Sequence, residues 1–274
     1  MPEIAEVRTV AKTLNNTIIG RKIIKIDTPY KNIIKSDYNE FINKLTNQSF
    51  KSVSSYGKWL IFNLGEYSYL THLRMEGKYF IKASSEEYNK HEHVIFHLDN
   101  NQDLRYHDVR KFGIMLLCKT QNIYEQEEIK KLGIEPDSKD LNIDYLYNKI
   151  NKSTKPIKEL LLDQSIINGL GNIYVDEVLF DSNINPKTIG NKITKDDCSN
   201  IINSCNKIIP QATKLGGSTI RSYTSSLGVI GHYQDYLCVH TKEGKKCPIC
   251  GDIIKKIRVG GRGTYYCPTC QKEK

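Results

Sequence analysis

Four cysteines near the C-terminus constrain this chain more than any other feature. Cys247-Pro248-Ile249-Cys250 and Cys267-Pro268-Thr269-Cys270 are two C-x2-C pairs with sixteen residues between them. Thiolates at that spacing close a tetrahedron around Zn²⁺, each pair forming a knuckle and the intervening residues a hairpin. All four positions are protein ligands, so no coordination site is left open. The spacing therefore predicts one structural zinc that folds the tail. Two disulfides are the competing reading, and they belong to an oxidising compartment. The other cysteines, Cys118, Cys198, Cys205 and Cys238, follow no pattern and fit buried thiols. Inside the hairpin, Lys255-Lys256-Ile257-Arg258-Val259-Gly260-Gly261-Arg262-Gly263 joins positive charge to glycines that permit close backbone approach. Arg262 can grip a phosphate with two parallel donors.

Charge points the same way. Forty Lys+Arg against thirty-one Asp+Glu leave a formal net charge of +9. From Lys242 to Lys274 there are nine basic and three acidic residues, so most of the surplus sits in the tail. A basic surface suits a polyanion, because neutralising phosphates releases condensed counterions. A solvated, Lys-rich face is the bland alternative. With 274 residues and 39% hydrophobic content, the chain can build two ordinary domains, or one with appendages. Apolar runs such as Ile114 to Cys118 are far too short to span a bilayer, and Met1-Pro2-Glu3 does not open a secretory signal. A cytoplasmic protein is expected, with no membrane contact.

Along the chain, residues 2 to 16 read as a helix. Pro2 fits its first turn, Ile4, Val7, Val10, Ala11 and Leu14 share one face, and Gly20 ends it. From Lys22 to about Cys118 short strands alternate with turns. Val94, Phe96 and Leu98 alternate with polar neighbours before a turn at Asp99-Asn100-Asn101-Gln102, then Leu104 and Tyr106 resume. That pattern suggests a sandwich or barrel. Residues 121–140 read as a linker. Helical periodicity follows at Leu141–Ile150, Ile157–Asp163, Ile173–Phe180 and Asp196–Leu215, the last with a possible bend at Pro210. Ser218 to Gln234, rich in Ser, Gly and Tyr, has the composition of a functional loop. The expected division is 1–120, a linker over 121–140, a helical domain with that loop over 141–240, and a metal module over 241–274. His91, His93, His97 and His107 raise the thought of a second metal, although strand histidines on a wet face are commonplace.

The chain then becomes specific. Met1-Pro2-Glu3-Ile4-Ala5-Glu6-Val7 resembles the opening of formamidopyrimidine-DNA glycosylases. So do Gly57-Lys58-Trp59-Leu60, His72-Leu73-Arg74-Met75-Glu76-Gly77, Asp108-Val109-Arg110-Lys111-Phe112-Gly113 and Gly169-Leu170-Gly171-Asn172-Ile173-Tyr174. These blocks, closed by the cysteine module, run in order over essentially the whole chain. The resemblance implies a multidomain α+β fold: an N-terminal β-sandwich with flanking helices, a helix–two-turn–helix domain and a C-terminal zinc finger. It also implies that damaged double-stranded DNA is the partner, bound by a monomer.

The same resemblance implies that Pro2 is the nucleophile once Met1 is removed. An α-amine has a reference pKa near 7.7–8.0 against about 10.4 for lysine, so about a tenth is unprotonated at pH 7. The free amine attacks the sugar's anomeric carbon, expels the base and forms an iminium. Elimination then breaks the strand on both sides. Glu3 is the expected acid/base group, with Glu6 and Glu177 as supporting acids. Lys58 would hold a phosphate and assist proton transfer, and Arg262 with Asn172 would grip the backbone, Asn172 also capping its helix. Lys158 would lie near the damaged nucleotide. Taking a base out of the stack costs a few kcal/mol, and Met75, Arg110 and Phe112 would fill the vacated space, the two apolar ones as wedges.

Departures from the family pattern are Ala5 for its usual second proline, Arg8 where an acid is common, Val109 for a proline, and Lys111. None removes a catalytic group. The competing readings are a relative of endonuclease VIII acting on oxidised pyrimidines, and a non-catalytic zinc-ribbon binder of nucleic acid. A binder has no use for the Pro2 amine, and the endonuclease VIII branch lacks the Met/Arg/Phe set. No organic cofactor is expected, because no nucleotide-cradling motif is present.

Overall fold

The computed structural model describes residues 1–218 and 231–273. They cluster into two compact units, residues 1–130 with 216–218 and 231, and residues 131–215 with 232–273.

In the first unit, helix α1 (Ile4–Ile18) starts two residues later than the expected residue 2. Glu3 is its N-cap, and Glu3 and Glu6 close a capping box across the first turn. Pro2 therefore precedes the helix, and it is buried. Val7, Val10, Ala11, Leu14 and Ile18 are buried along one face of α1, and α2 (Tyr38–Leu45) adds Phe41 and Leu45. Eight strands follow: β1 (Ile23–Asp27), β2 (Ser52–Tyr56), β3 (Trp59–Asn63), β4 (Tyr67–His72), β5 (Lys78–Ala83), β6 (Glu92–Leu98), β7 (Gln102–His107) and β8 (Ile114–Lys119). They form two four-stranded antiparallel sheets, ordered β1-β6-β7-β5 and β2-β3-β4-β8. The expected β-sandwich with flanking helices is what forms.

Alternation explains the core. Val94, Phe96, Leu98, Leu104 and Tyr106 turn inward from β6 and β7, joining Phe62 and Tyr69 of the other sheet and the buried face of α1. Phe62 stacks on Tyr69 with centroids 4.4 Å apart, and Tyr69 on Phe96 at 5.1 Å. Each such ring removes a large apolar area from water and adds specific pair geometry.

The supposed linker is folded. Residues 120–125 form a short 3₁₀ segment, α3 (Glu127–Lys130) follows, and Ile134 bridges to Ile167. In the second unit, α4 (Ile143–Ile150), α5 (Ile157–Leu162), α6 (Asn172–Asp181) and α7 (Lys195–Lys214) match the helical periodicities. α7 runs on through Pro210. The turns between α5 and α6 are held by Gln164, whose amide nitrogen donates to the Leu162 and Leu170 carbonyls at 2.8 and 3.0 Å. Its Oε1 accepts the Gly169 amide at 3.0 Å. This is a helix–two-turn–helix.

The tail hairpin, β9 (Lys255–Val259) and β10 (Arg262–Tyr266), turns on Gly260 and Gly261. Their φ angles of 54° and 74° are those of the two-residue turn that suits a twisted hairpin, and glycine takes them at little cost. Val239, Cys247, Ile254 and Cys267 pack with Phe180 of α6, which seats the metal module on the helices. Of the expected loop, residues 219–230 lie outside the described residues.

Candidate active site

The start of the chain is tied down by one carboxylate. Glu6, 4% exposed, accepts the Glu3 amide on Oε2 at 2.9 Å and the Ser218 amide on Oε1 at 2.7 Å. The Ser218 hydroxyl adds a third donor to Oε1 at 3.3 Å. Gly217 has φ +77°, and a Cβ there would lie 2.5 Å from Glu6 Oε1, so only glycine fits. Glu6 thus joins the start of the chain to Gly217 and Ser218.

Around the Met1 amine, burial lowers the pKa from its ordinary value, Glu3 and Glu6 raise it, Lys58 lowers it and Glu76 raises it. The net shift is downward, towards the neutral, nucleophilic form. Lys58 sits on the two-residue turn between β2 and β3, after Gly57 at φ 55°, and is only 5% exposed. A lysine so placed is not the surface residue its bare sequence context suggests.

Sequence reasoning missed His72. Register sets it opposite Trp59, whose ring it meets edge-on with centroids 5.0 Å apart. Its Nδ1 accepts the Arg74 amide at 3.0 Å, leaving Nε2 for the ring proton. Burial, then Arg74 and Lys58, push its pKa down to about 3. His72 is therefore a neutral donor in an electropositive corner. Its signal was its place in the His72-Leu73-Arg74-Met75 block.

Met75 and Phe112 are 39% and 53% exposed, on loops rather than in strand cores. The Arg110 guanidinium lies 4.7 Å from the centre of the Phe112 ring. Beside each of Met75 and Phe112 is a residue in the left-handed region, Arg74 at φ 54° and Lys111 at φ 56°. With Met1, Lys35, Arg74 and Lys111, Met75 and Phe112 line an open cavity of about 510 Å³. Cations and apolar groups share it, a composition that suits phosphates and base faces.

The second unit presents Arg262, exposed at the head of β10. Lys158 and Asn172 differ from expectation. Lys158 is fully buried, with Nζ 2.7 Å from Asp176 Oδ1 and 3.1 Å from the Gly263 carbonyl. Its ammonium is paired inside the fold, where it ties α5 to α6 and to the hairpin. Asn172 is the first residue of α6, behind the N-cap Gly171, and it donates through Nδ2 to the same Gly263 carbonyl at 3.0 Å. It is not the helix cap. Asp176 Oδ2 also meets His240 Nδ1 at 2.8 Å and the Tyr265 amide at 3.3 Å. Neither Asp176 nor His240 was foreseen, because the contacts that recruit them span 18 to 89 positions. Glu177 accepts the Cys238, Val239 and His240 amides at 2.8–3.0 Å. Burial raises its pKa against those donors.

Cys247, Cys250, Cys267 and Cys270 bring their sulfurs within 4.8 Å of one another, with 3.8 Å between the Cys247 and Cys270 sulfurs and 3.4 Å between those of Cys250 and Cys267. Sulfurs 2.3 Å from one zinc lie about 3.8 Å apart, so the set fits one structural Zn²⁺. The histidines do not converge. His97 pairs with Asp27 and Asp103, His93 meets the Asp108 carbonyl, and His91 packs against His107.

Comparison with known proteins now decides the family. Residues 1–115 match the model of the formamidopyrimidine-DNA glycosylase N-terminal domain, and residues 132–224 that of the formamidopyrimidine-DNA glycosylase H2TH domain. Residues 244–272 match the zinc finger found in FPG and IleRS. The chain belongs to the formamidopyrimidine-DNA glycosylase family. The family's enzyme in Lactobacillus delbrueckii subsp. bulgaricus is 43% identical over 272 residues, 99% of this chain and 100% of that one. The Streptococcus pneumoniae glycosylase is also 43% identical, with 99% of each covered. A variant of Lactococcus lactis Fpg, solved with DNA containing Fapy-dG, superposes with a TM-score of 0.93 at 40% identity, covering 99% of this chain and 100% of that one. As a member, the chain is a DNA glycosylase and AP lyase of base excision repair. A mere zinc-ribbon binder is set aside. No helix among the described residues is long and apolar enough to cross a membrane.

Metal analysis of the glycosylase should find one zinc per chain. Its removal by a strong chelator should unfold the β9–β10 hairpin and weaken binding to lesion DNA by about tenfold or more, the scale of one lost charge-assisted contact. Unchanged binding by metal-free protein would contradict the structural role. His72 makes a second prediction. The unfolded chain takes up this proton below about 6.5 and the folded one only near 3, so the stability it contributes above 6.5 is lost as pH falls between them. Across that window wild type should lose up to about 1.4 kcal/mol per pH unit more than His72→Asn in urea titrations. Parallel slopes would show that His72 is not held neutral.

Proposed function

We propose that the glycosylase removes oxidised purines, 8-oxoguanine and formamidopyrimidines, from duplex DNA through a Schiff base on the Pro2 amine. The observation that carries this reading is the start of α1, where Pro2 and Glu3 are buried, Glu6 holds the Glu3 amide at 2.9 Å, and burial lowers the pKa of the Met1 amine, surroundings that the Pro2 amine takes over once Met1 is removed. The neutral amine attacks the anomeric carbon, and the glycosidic electron pair leaves with the base. The proton released by the amine and one from Glu3 go to the departing base and to the ring oxygen. An iminium then joins Pro2 to the opened sugar and acidifies the adjacent C2′ proton. Loss of that proton expels the 3′ phosphate, and a second elimination expels the 5′ phosphate. Water frees Pro2.

Lys58 and His72 are suited to hold phosphates beside the amine, and Lys58 to move the eliminated proton. Met75 and Phe112 enter the space of the extruded base while Arg110 meets the orphaned partner. Arg262 grips the backbone together with the N-terminal amides of α6, and Lys158, Asn172, Asp176 and Glu177 keep that part of the second unit in place. Glu6 orients the amine segment. The enzyme works as a monomer, in the cytoplasm on chromosomal DNA, with no organic cofactor. The Met75/Arg110/Phe112 set favours purine lesions over the oxidised pyrimidines of the endonuclease VIII branch.

Borohydride reduction of Met1-processed protein on a duplex with one 8-oxoguanine opposite cytosine should leave a covalent adduct at Pro2. A Pro2→Gly variant should form it far more slowly. Base release without any trapped adduct would refute amine catalysis, and much faster release of thymine glycol would overturn the choice of lesion.

A further inference from the structure

Both wedge-bearing loops rest on one buried hydroxyl. Tyr106 of β7 is fully buried, its ring edge-on to Tyr79 with centroids 5.3 Å apart. A Cβ built on Gly77 would lie 2.3 Å from the Tyr106 oxygen, and one on Gly113 only 1.7 Å from it. Neither glycine is among those with positive φ, so each is required for the space it leaves and not for its conformational freedom. Gly77 closes the Met75 turn, its amide donating to the Leu73 carbonyl at 2.9 Å. Gly113 closes the Arg110–Phe112 turn, its amide donating to Asp108 Oδ2 at 2.8 Å. The Tyr106 hydroxyl donates to that same Oδ2 across 3.4 Å, at the long end for such a bond. Asp108 is fully buried; its Oδ1 accepts the Arg110 amide at 3.0 Å, and its carbonyl meets His93 Nε2 at 2.8 Å. The two loops therefore touch a common atom, and each carries a left-handed residue next to its wedge, a conformation that persists only where surroundings hold it.

We propose that Tyr106 is a positioning residue whose hydroxyl fixes the spacing of the Met75 and Arg110–Phe112 loops, so that both wedges enter the duplex as one rigid unit. The proposal rests on the reading that these side chains fill the space of the extruded base. It assigns Tyr106 no contact with DNA and no part in the chemistry at Pro2. Its loss should therefore be felt where a base must be displaced and not where none is opposed.

Tyr106→Phe separates the two. Excision of 8-oxoguanine from duplex DNA should slow about tenfold, the scale of one lost hydrogen bond to a buried carboxylate. Cleavage of a single-stranded oligonucleotide carrying an abasic site, where no partner base is displaced, should stay within about twofold on the same scale. A 2-aminopurine opposite the lesion should brighten less on binding the variant than on binding wild type. Duplex excision within about twofold of wild type, or equal loss on both substrates, would overturn the proposal, the latter marking a merely structural role. Phe112→Ala is the control for the underlying reading. If it slows duplex excision while Tyr106→Phe does not, the clasp alone fails. If Phe112→Ala leaves duplex excision intact, the wedge reading itself fails.

Discussion

The buried carboxylate of Glu6 is the interaction on which the rest depends. It accepts the amide of Glu3 at one oxygen and the amide and hydroxyl of Ser218 at the other, so the first residues of the chain cannot fray. Chain termini are ordinarily among the least ordered parts of a domain. On the proposed mechanism the terminus carries the chemistry, and the capping box that starts α1 doubles as the device that positions it. Burial at that end of the chain favours the neutral form of the Met1 amine over the charged one. On the proposed mechanism the Pro2 amine takes over those surroundings when Met1 is removed, so that one local arrangement supplies both position and reactivity.

The second unit solves a different problem, which is to aim an exposed arginine from a small tail. A two-stranded hairpin is marginal alone. The four cysteines close one end of it, and Phe180 packs beneath them. At the other end Lys158 and Asn172 converge on the Gly263 carbonyl, one residue from Arg262, and Asp176 binds Lys158, His240 and the Tyr265 amide. A buried ion pair of this kind is worth little as net stability, because desolvation offsets attraction. Its directional hydrogen bonds fix where the hairpin lies, and so where Arg262 points.

What sequence reasoning reached follows from the range of each interaction. The cysteine spacing, the alternation of Val94, Phe96 and Leu98, and the helical periods after residue 140 are local signals, and the corresponding elements form. Pro2 was read as a first-turn residue because Pro suits that position, but the capping box shifts the helix start to Ile4. Asn172 was read as a cap because Asn favours that role, yet Gly171 takes it and Asn172 turns to a carbonyl 91 positions away. The burial of Lys158 is not legible in sequence either, because its partners Asp176 and Gly263 lie 18 and 105 positions away. Tyr106 stands in the sequence only as an alternating strand residue and His72 only as a member of its block, and Asp176 and His240 carry no local signal: their roles exist only once strands pair and the hairpin folds back.

The central claim is that folding makes the terminal amine a better nucleophile than the same group in a free chain. The direct measurement is an NMR titration of the Pro2 amine in Met1-processed protein, beside the peptide Pro-Glu-Ile-Ala-Glu in the same buffer. The account predicts a midpoint in the folded enzyme clearly below that of the peptide. A midpoint equal to the peptide's, or above it, would mean that Glu3, Glu6 and Glu76 outweigh burial and that the fold positions the amine without activating it.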